Sequence, residues 1–290
     1  MAKILKGIGG FYYVKSDNSE DIIECKARGR FRNLSLKPYV GDDVDIELSG
    51  EEGKGSILDI HPRKNCFIRP PVANIDRLVI VCSCDNPKPD FGFIDKMLII
   101  CASKNVDTIL CFNKTDLVSD EEISEYASVY ENLGIRVIRT CAKDHKGTDE
   151  LRECISGGVT AFSGFSGVGK STLLNSLLGI DDIKTGEVSK KIGRGRHTTR
   201  HVELMEFSDG YLVDTPGFGS LELADIEPEE LKDYFPEFEP FEAECRFPDC
   251  MHLGTKFCGV YDAYTQGRIS GSRFDNYKDF YKLLKDKKEW

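Results

Sequence analysis

The sequence predicts a three-part protein: an N-terminal β-barrel of the OB type, a central α/β domain on a parallel, doubly wound sheet, and a mainly helical, metal-binding C-terminal part. Three observations carry that expectation. From residue 1 to 69, short strand-like runs are broken by turn residues. From 70 to 223, strand runs alternate with helical runs around Gly164-Phe165-Ser166-Gly167-Val168-Gly169-Lys170-Ser171. From 224 to 290 the alternation stops, and a Cys-x4-Cys-x-His-x5-Cys cluster appears.

In the first part, Phe11–Val14, Ile22–Cys25, Val44–Leu48 and Ser56–Ile60 are strand candidates separated by Ser-Asp-Asn, Gly-Asp and Gly-Lys-Gly turns. About five strands in this length suit a small Greek-key barrel, an architecture that binds oligonucleotides on one face. Lys26, Arg28, Arg30, Phe31 and Arg32 make a basic run with one aromatic, the chemistry of a phosphate-and-stacking surface or of a solvated loop.

In the second part, Leu78–Val81, Asp107–Phe112, Arg136–Arg139, Val159–Phe162, Val202–Phe207 and Tyr211–Asp214 read as strands. Phe91–Ser103, Glu121–Leu133, Thr148–Ile155 and Thr172–Leu178 read as helices. Ligands on such a sheet bind at the C-terminal strand ends, and each motif below follows a strand. In the third part a helix is expected over Pro228–Tyr234 and another over Asn276–Lys285.

The formal charge of -10 argues against a generic polyanion binder, since such affinity comes from neutralising phosphates. No apolar run is long enough to span a bilayer, and Met1–Gly7 is too soon polar for a secretory signal, so no membrane partner is expected. Eleven cysteines, with Cys82, Cys101 and Cys111 inside apolar runs, suit core thiols in a reducing cytoplasm. Cys82 and Cys84 read as packing residues on one side of a strand.

Gly164 to Ser171 fits the phosphate-binding loop GxxxxGK[ST], with a strand before it and a helix from Thr172 after it. Its backbone N–H groups and the helix N-terminus would cradle phosphates. Lys170 would reach the β- and γ-phosphates, and the Ser171 hydroxyl would ligate Mg²⁺. Asn113-Lys114-Thr115-Asp116 supplies a base reader: the Asp116 carboxylate accepts from guanine N1–H and its 2-amino group, donors adenine lacks there. Lys114 would lie over the base, and Asn113 would tie this loop to the phosphate loop. Cys141 and Ala142, in Thr140-Cys141-Ala142-Lys143, sit where a Ser-Ala-Lys turn touches the base through backbone N–H. Asp214-Thr215-Pro216-Gly217 fits DxxG: Asp214 would hold Mg²⁺ through water, and the Gly217 N–H would sense the γ-phosphate. Gly193–Arg200 occupies the place of a first switch, where Thr199 is the threonine expected to complete the Mg²⁺ shell.

Cys245, Cys250, His252 and Cys258 offer three thiolates and an imidazole, a closed tetrahedral Zn²⁺ shell with no open position for a catalytic water.

The motif order is unusual: the base-reading loops precede the phosphate loop, and DxxG leads straight into the C-terminal part. Together with Gly195-Arg196-His197-Thr198-Thr199-Arg200 and the Cys-Cys-His-Cys cluster, that order resembles the circularly permuted GTPases of the TRAFAC class that mature the small ribosomal subunit, the small-subunit-dependent GTPase A family. The resemblance covers nearly the whole chain. It implies a GTP hydrolase (GTP/GDP, Mg²⁺, one structural Zn²⁺) stimulated by the small subunit, with barrel and zinc domain gripping ribosomal RNA. The expected protein is a cytoplasmic monomer with no DNA partner.

Conventional GTPases place a water-orienting glutamine after the DxxG glycine; here that place is Phe218. His197 is the expected substitute, with Lys170 and Thr199 as the other catalytic residues. Slow turnover is expected until the switch is ordered.

Overall fold

The computed structural model describes residues 1–16, 21–29, 31, 36–179, 202–214, 218–254 and 256–288. Its first five strands are β1 (Ala2–Ile8), β2 (Phe11–Ser16), β3 (Ile22–Ala27), β4 (Asp43–Leu48) and β5 (Lys54–Ile60). They close into a barrel in the order β1-β2-β3-β5-β4, with β3 and β5 parallel and β1 antiparallel to β4. Ile4, Val14, Ile23, Cys25, Val44 and Ile57 fill it. The turn pattern gave no sign of β1, whose pairing with β2 shifts register between Ile4 and Lys6. Ile4 faces the barrel core and Leu5, on the opposite face, the main core, so both faces are buried there and no apolar–polar alternation shows.

Phe31 corrects the sequence reading of the basic run. Its ring is 3% exposed within the barrel core, so it cannot stack on a base. Arg28 is ion-paired with Glu47, and Lys26 Nζ lies 4.9 Å from the Phe11 ring centroid. Arg30 and Arg32 lie outside the described residues.

A short hairpin, β6 (Cys66–Phe67) and β7 (Val72–Ala73), leaves the barrel but stays stitched to it. The Ala73 N–H donates to Val40 O at 2.8 Å, and Asn74 Nδ2 donates to Gly41 O at 3.0 Å. Buried Asp42 accepts Arg63 Nε at 2.7 Å and Nη2 at 2.8 Å, a two-point pairing that fixes the crossing.

The central sheet follows as β8 (Arg77–Ser83), α1 (Phe91–Ser103), β9 (Asp107–Asn113), α2 (Asp120–Glu131), β10 (Arg136–Thr140), α3 (Thr148–Cys154), β11 (Gly158–Ser163), α4 (Lys170–Leu178), β12 (Leu204–Phe207) and β13 (Gly210–Asp214). Strand order is β10-β9-β8-β11-β13-β12, parallel except for the edge strand β12. Strand residues alternate between two cores. Leu78, Ile80 and Cys82 face α1 and α2, whereas Val79 and Val81 face α3 and α4. Helices on both faces explain why the strands read as continuous apolar runs.

The C-terminal part departs from the expected helices in detail. Pro228–Tyr234 is a 3-10 helix with Pro at its start and a Glu227/Glu230 capping box. A second 3-10 turn, Pro236–Phe238, leads to α5 (Glu239–Glu242), α6 (Gly259–Thr265) and α7 (Gly271–Lys288). The last helix starts five residues before Asn276, in a polar Gly-Ser-Arg stretch that masked it. Phe235, Phe238, Phe274 and Tyr277 belong to the same core as α1 and α2, so this part is a layer on one face of the sheet rather than a separate globule.

Candidate nucleotide site and metal centre

The five parallel strands deliver Ser83, Asn113, Thr140, Ser163 and Asp214 to one edge of the sheet. There the phosphate loop turns on glycines with left-handed backbone. Gly167 has φ +86° and Gly169 φ +91°. A Cβ at Gly169 would sit 2.3 Å from Asn113 Nδ2, so the loop can approach its neighbour this closely only without a side chain. Val168 is buried, and Gly169 caps α4 so that Lys170 and Ser171 begin it. Ser171 and Thr172 are exposed on that first turn, as are Phe165 and Ser166 on the loop before it. Phe165 packs its ring 4.5 Å from that of Phe93 on α1. Lys170 Nζ lies 3.6 Å from Asp214 Oδ1 across the loop.

Asn113, 2% exposed, is the joint between motifs far apart in sequence. Its Nδ2 donates to Val168 O in the phosphate loop at 2.9 Å. Its Oδ1 accepts from Thr140 Oγ1 at 3.0 Å and from the Ala142 N–H at 3.1 Å. In this structure Ala142 therefore holds Asn113 instead of presenting its N–H to a base. Thr140 was not singled out from sequence, although it directly precedes the Cys-Ala-Lys turn.

Lys114 has a left-handed backbone, φ +63°, and its Nζ donates to Asn86 O at 2.7 Å, pinning the loop after β8 beside the phosphate loop. Asp116 is exposed at the mouth of the site. The Cys141 Sγ donates to Asp116 Oδ1 at 3.2 Å and also meets Asp144 Oδ2 at 3.4 Å. Burial and the Asp116 carboxylate both push the Cys141 thiol above its usual range, which keeps it a protonated donor. Gly217, His197 and Thr199 lie outside the described residues. Phe218 is 1% exposed and packs its ring 4.9 Å from Phe67, buried too deeply to contact an attacking water.

The ligand atoms of Cys245, Cys250, His252 and Cys258 all lie within 4.8 Å of one another. A tetrahedral zinc shell, with Zn–S about 2.3 Å and Zn–N about 2.0 Å, demands S···S edges of about 3.8 Å and S···N edges of about 3.5 Å. The observed Cys245–Cys258 Sγ separation is 3.9 Å, and His252 Nδ1 lies 3.6 and 3.5 Å from those two sulfurs. The donor set fits the ion. His252 Nε2 meets Glu242 Oε1 at 3.1 Å, the carboxylate partner that orients a ligating imidazole. Sequence gave no sign of Glu242, which stands three residues ahead of the cluster. Burial lowers the His252 pKa against the pull of Glu242, favouring the neutral ligand form. Burial pushes the Cys258 thiol up to about 12, so metal binding there must displace a proton.

The chain matches the family model described as RsgA GTPase over residues 60–224 and that of the RsgA N-terminal domain over 2–57. Curated relatives include the small ribosomal subunit biogenesis GTPase RsgA of Alkaliphilus metalliredigens, 46% identical over 277 residues, covering 95% of this chain and 94% of the relative. The protein of the same name from Clostridium botulinum (strain Kyoto) is 44% identical over 291 residues, covering 99% of each. The crystal structure of YjeQ from Thermotoga maritima superposes with TM-score 0.83 at 35% identity, over 98% of this chain and 97% of that one. The structure of YloQ, titled a circularly permuted GTPase, gives 0.81 at 34% identity, over 99% and 95%. With the Asn-Lys-Thr-Asp and glycine-rich loops joined at one sheet edge in permuted order, and with matches along nearly its full length, the chain belongs to the RsgA GTPase family.

Proposed function

We propose that this chain hydrolyses GTP to GDP and phosphate on the small ribosomal subunit during its late maturation, with hydrolysis driving release or a checkpoint. The observation that carries the reading is the Asn113 joint, which puts the guanine loop, the Cys-Ala turn and the phosphate loop on one side chain. Asp116 would read the base, with Lys114 over it. Gly164 to Thr172 would wrap the phosphates, and Gly217 would sense the γ-phosphate. Ser171, Thr199 and Asp214 offer the hard oxygen donors that Mg²⁺ takes, and the ion would neutralise phosphate charge when bound. Cys245, Cys250, His252 and Cys258 would hold a structural Zn²⁺. In domain terms, 1–69 is the RNA-binding barrel, 70–223 the permuted G domain and 224–290 the zinc domain. The protein would act as a cytoplasmic monomer on the subunit and its ribosomal RNA. No helix among the described residues is long and apolar enough to cross a membrane.

Because buried Phe218 has no hydrogen-bonding group, we assign the orienting of the attacking water to His197, with Lys170 and Thr199 stabilising charge. The test is GTP turnover against titrated small subunits, large subunits and free RNA, for wild type and His197→Ala. Stimulation specific to small subunits, lost by about 10²-fold or more in the variant, is expected. Stimulation by free RNA alone, or by neither subunit, overturns the ribosomal reading. Full stimulated turnover in the variant removes His197 from catalysis.

A further inference from the structure

Among the described residues, barrel strand β1 meets the central sheet at edge strand β12, which lies between the two switch motifs in sequence. Residues Gly193–Arg200 precede β12 in sequence, and Asp214 ends β13; the two strands pair antiparallel from Leu204↔Val213 to Phe207↔Gly210. At the free edge of β12, barrel strand β1 forms a bridge, Lys6↔Glu203. Lys6 Nζ reaches Glu203 Oε2 at 2.8 Å, and Lys15 Nζ on β2 reaches Glu206 Oε1 at 2.6 Å. Both lysines are about four-fifths covered, at 24% and 17% exposed. Leu5 and Val40 on the barrel side join the same buried core as Val202 and Leu204, but the packing is incomplete. A cleft of about 420 Å³ lined by Leu5, Ile8, Tyr13, Ile22 and Leu204 separates barrel from edge strand.

The small apolar contact through Leu5 and Leu204 joins the bodies, and the two charged struts beside the cleft transmit to β12 any shift of β1 and β2. The barrel has a second hold just past the C-terminal strand of the same hairpin. Phe67, on the segment stitched to the barrel, packs on Phe218, the first described residue after Gly217. The barrel therefore holds the strand pair joining the two switch motifs both before β12 and after β13.

We infer that Lys6 and Lys15 are positioning residues which couple the barrel to the switch hairpin through Glu203 and Glu206, so that what the barrel binds sets the γ-phosphate sensing geometry. By linkage the nucleotide must change the barrel in return. The inference rests on the proposed GTPase reading for its functional consequence, but its structural consequence is measurable without subunits.

Amide hydrogen exchange across residues 2–16 is compared with GDP and with a non-hydrolysable GTP analogue. The proteins are wild type, Lys6→Glu/Lys15→Glu, Glu203→Gln/Glu206→Gln, and the quadruple charge swap adding Glu203→Lys/Glu206→Lys to the first pair. Wild type should differ between nucleotides in β1 and β2. Both double variants should lose that difference, and the charge swap should regain it. In parallel, subunit-stimulated turnover of the double variants should fall about threefold to tenfold, with basal turnover and nucleotide affinity within about twofold of wild type. A barrel blind to nucleotide in wild type overturns the inference. So does a nucleotide difference that persists when either set of pairs is broken. Absence of subunit stimulation in wild type counts against the proposed function alone, and the exchange comparison still decides the coupling.

Discussion

Asp116 presents the sharpest choice made by a single side chain here. It stands exposed at the site mouth, held by the Cys141 thiol and by no cation that any described contact supplies. In the proposed site a carboxylate so placed would accept two hydrogen bonds from guanine, each charge-assisted bond contributing roughly 1.5–3 kcal/mol. Asp116→Asn replaces one acceptor by a donor. Guanine then meets an N–H where it offers its own, while xanthine, with a carbonyl in place of the 2-amino group, fits. GTP affinity should fall by about 100-fold or more and the preference should move to xanthosine triphosphate, read by competition titration. Unchanged GTP preference would remove Asp116 from base reading. Candidates of this kind can be named from sequence because the proposed chemistry dictates their type: carboxylate for guanine, lysine for phosphate, thiolates for zinc. Phe31 misled for the complementary reason. An aromatic between cations suits stacking, yet burial decides its use, and no residue-type rule told that its ring turns into the barrel core.

Elements meet through residues that no local pattern reveals, and α1 with α7 is the clearest case. Arg273 on α7, 2% exposed, donates from Nη1 to Asp95 Oδ1 on α1 at 2.8 Å and from Nε to Glu237 Oε1 at 2.7 Å. Asp95, fully buried, also accepts Asn276 Nδ2 at 2.6 Å and Tyr130 Oη at 3.0 Å. Partners 178 residues apart leave no trace in spacing, whereas the 91–103 span of α1 itself was readable from its apolar period. Burial works against the Arg273 charge, but the two carboxylates hold its pKa above the ordinary value. Burial raises the Asp95 pKa even with the guanidinium opposing it. Arg273→Ala leaves a buried carboxylate with only neutral donors and should cost about 3–5 kcal/mol in urea unfolding at neutral pH. The sign of its pH dependence follows. In the variant the folded Asp95 pKa stands further above its unfolded value, so the folded state holds the proton that the unfolded state loses. Stability then falls as pH rises between the two, and the deficit should shrink on acidification. A deficit below about 1 kcal/mol, or one that does not change with pH, would show that Tyr130 and Asn276 suffice.

At the scale of the molecule, three sequence segments share fewer cores than their composition suggested. The barrel keeps its own, but Phe235, Phe238, Phe274 and Tyr277 share one with α1, α2 and one face of β8 and β9. Composition shifts marked 224 as a boundary, because alternation of strands and helices stops there. What composition cannot show is that the segment beyond it folds back onto the sheet. Phe238 packs its ring 5.7 Å from that of His252 and 5.0 Å from that of Tyr277, so the Cys-Cys-His-Cys cluster abuts the shared core directly. Zinc removal should therefore not melt a C-terminal piece alone. With Cys245, Cys250 and Cys258 unligated, the layer covering α1 loosens and the Asp95–Arg273 joint is exposed to water. Stripping the metal with a strong chelator should lower a single, whole-chain thermal transition by about 5–10 °C, taking a loss of 2–3 kcal/mol at roughly 2–4 °C for each. Guanine-nucleotide affinity should weaken alongside, since α1 carries Phe93 against the phosphate-loop residue Phe165. Two separate transitions, with the nucleotide-stabilised one unmoved, would mean that the zinc layer and the sheet fold apart despite their common core.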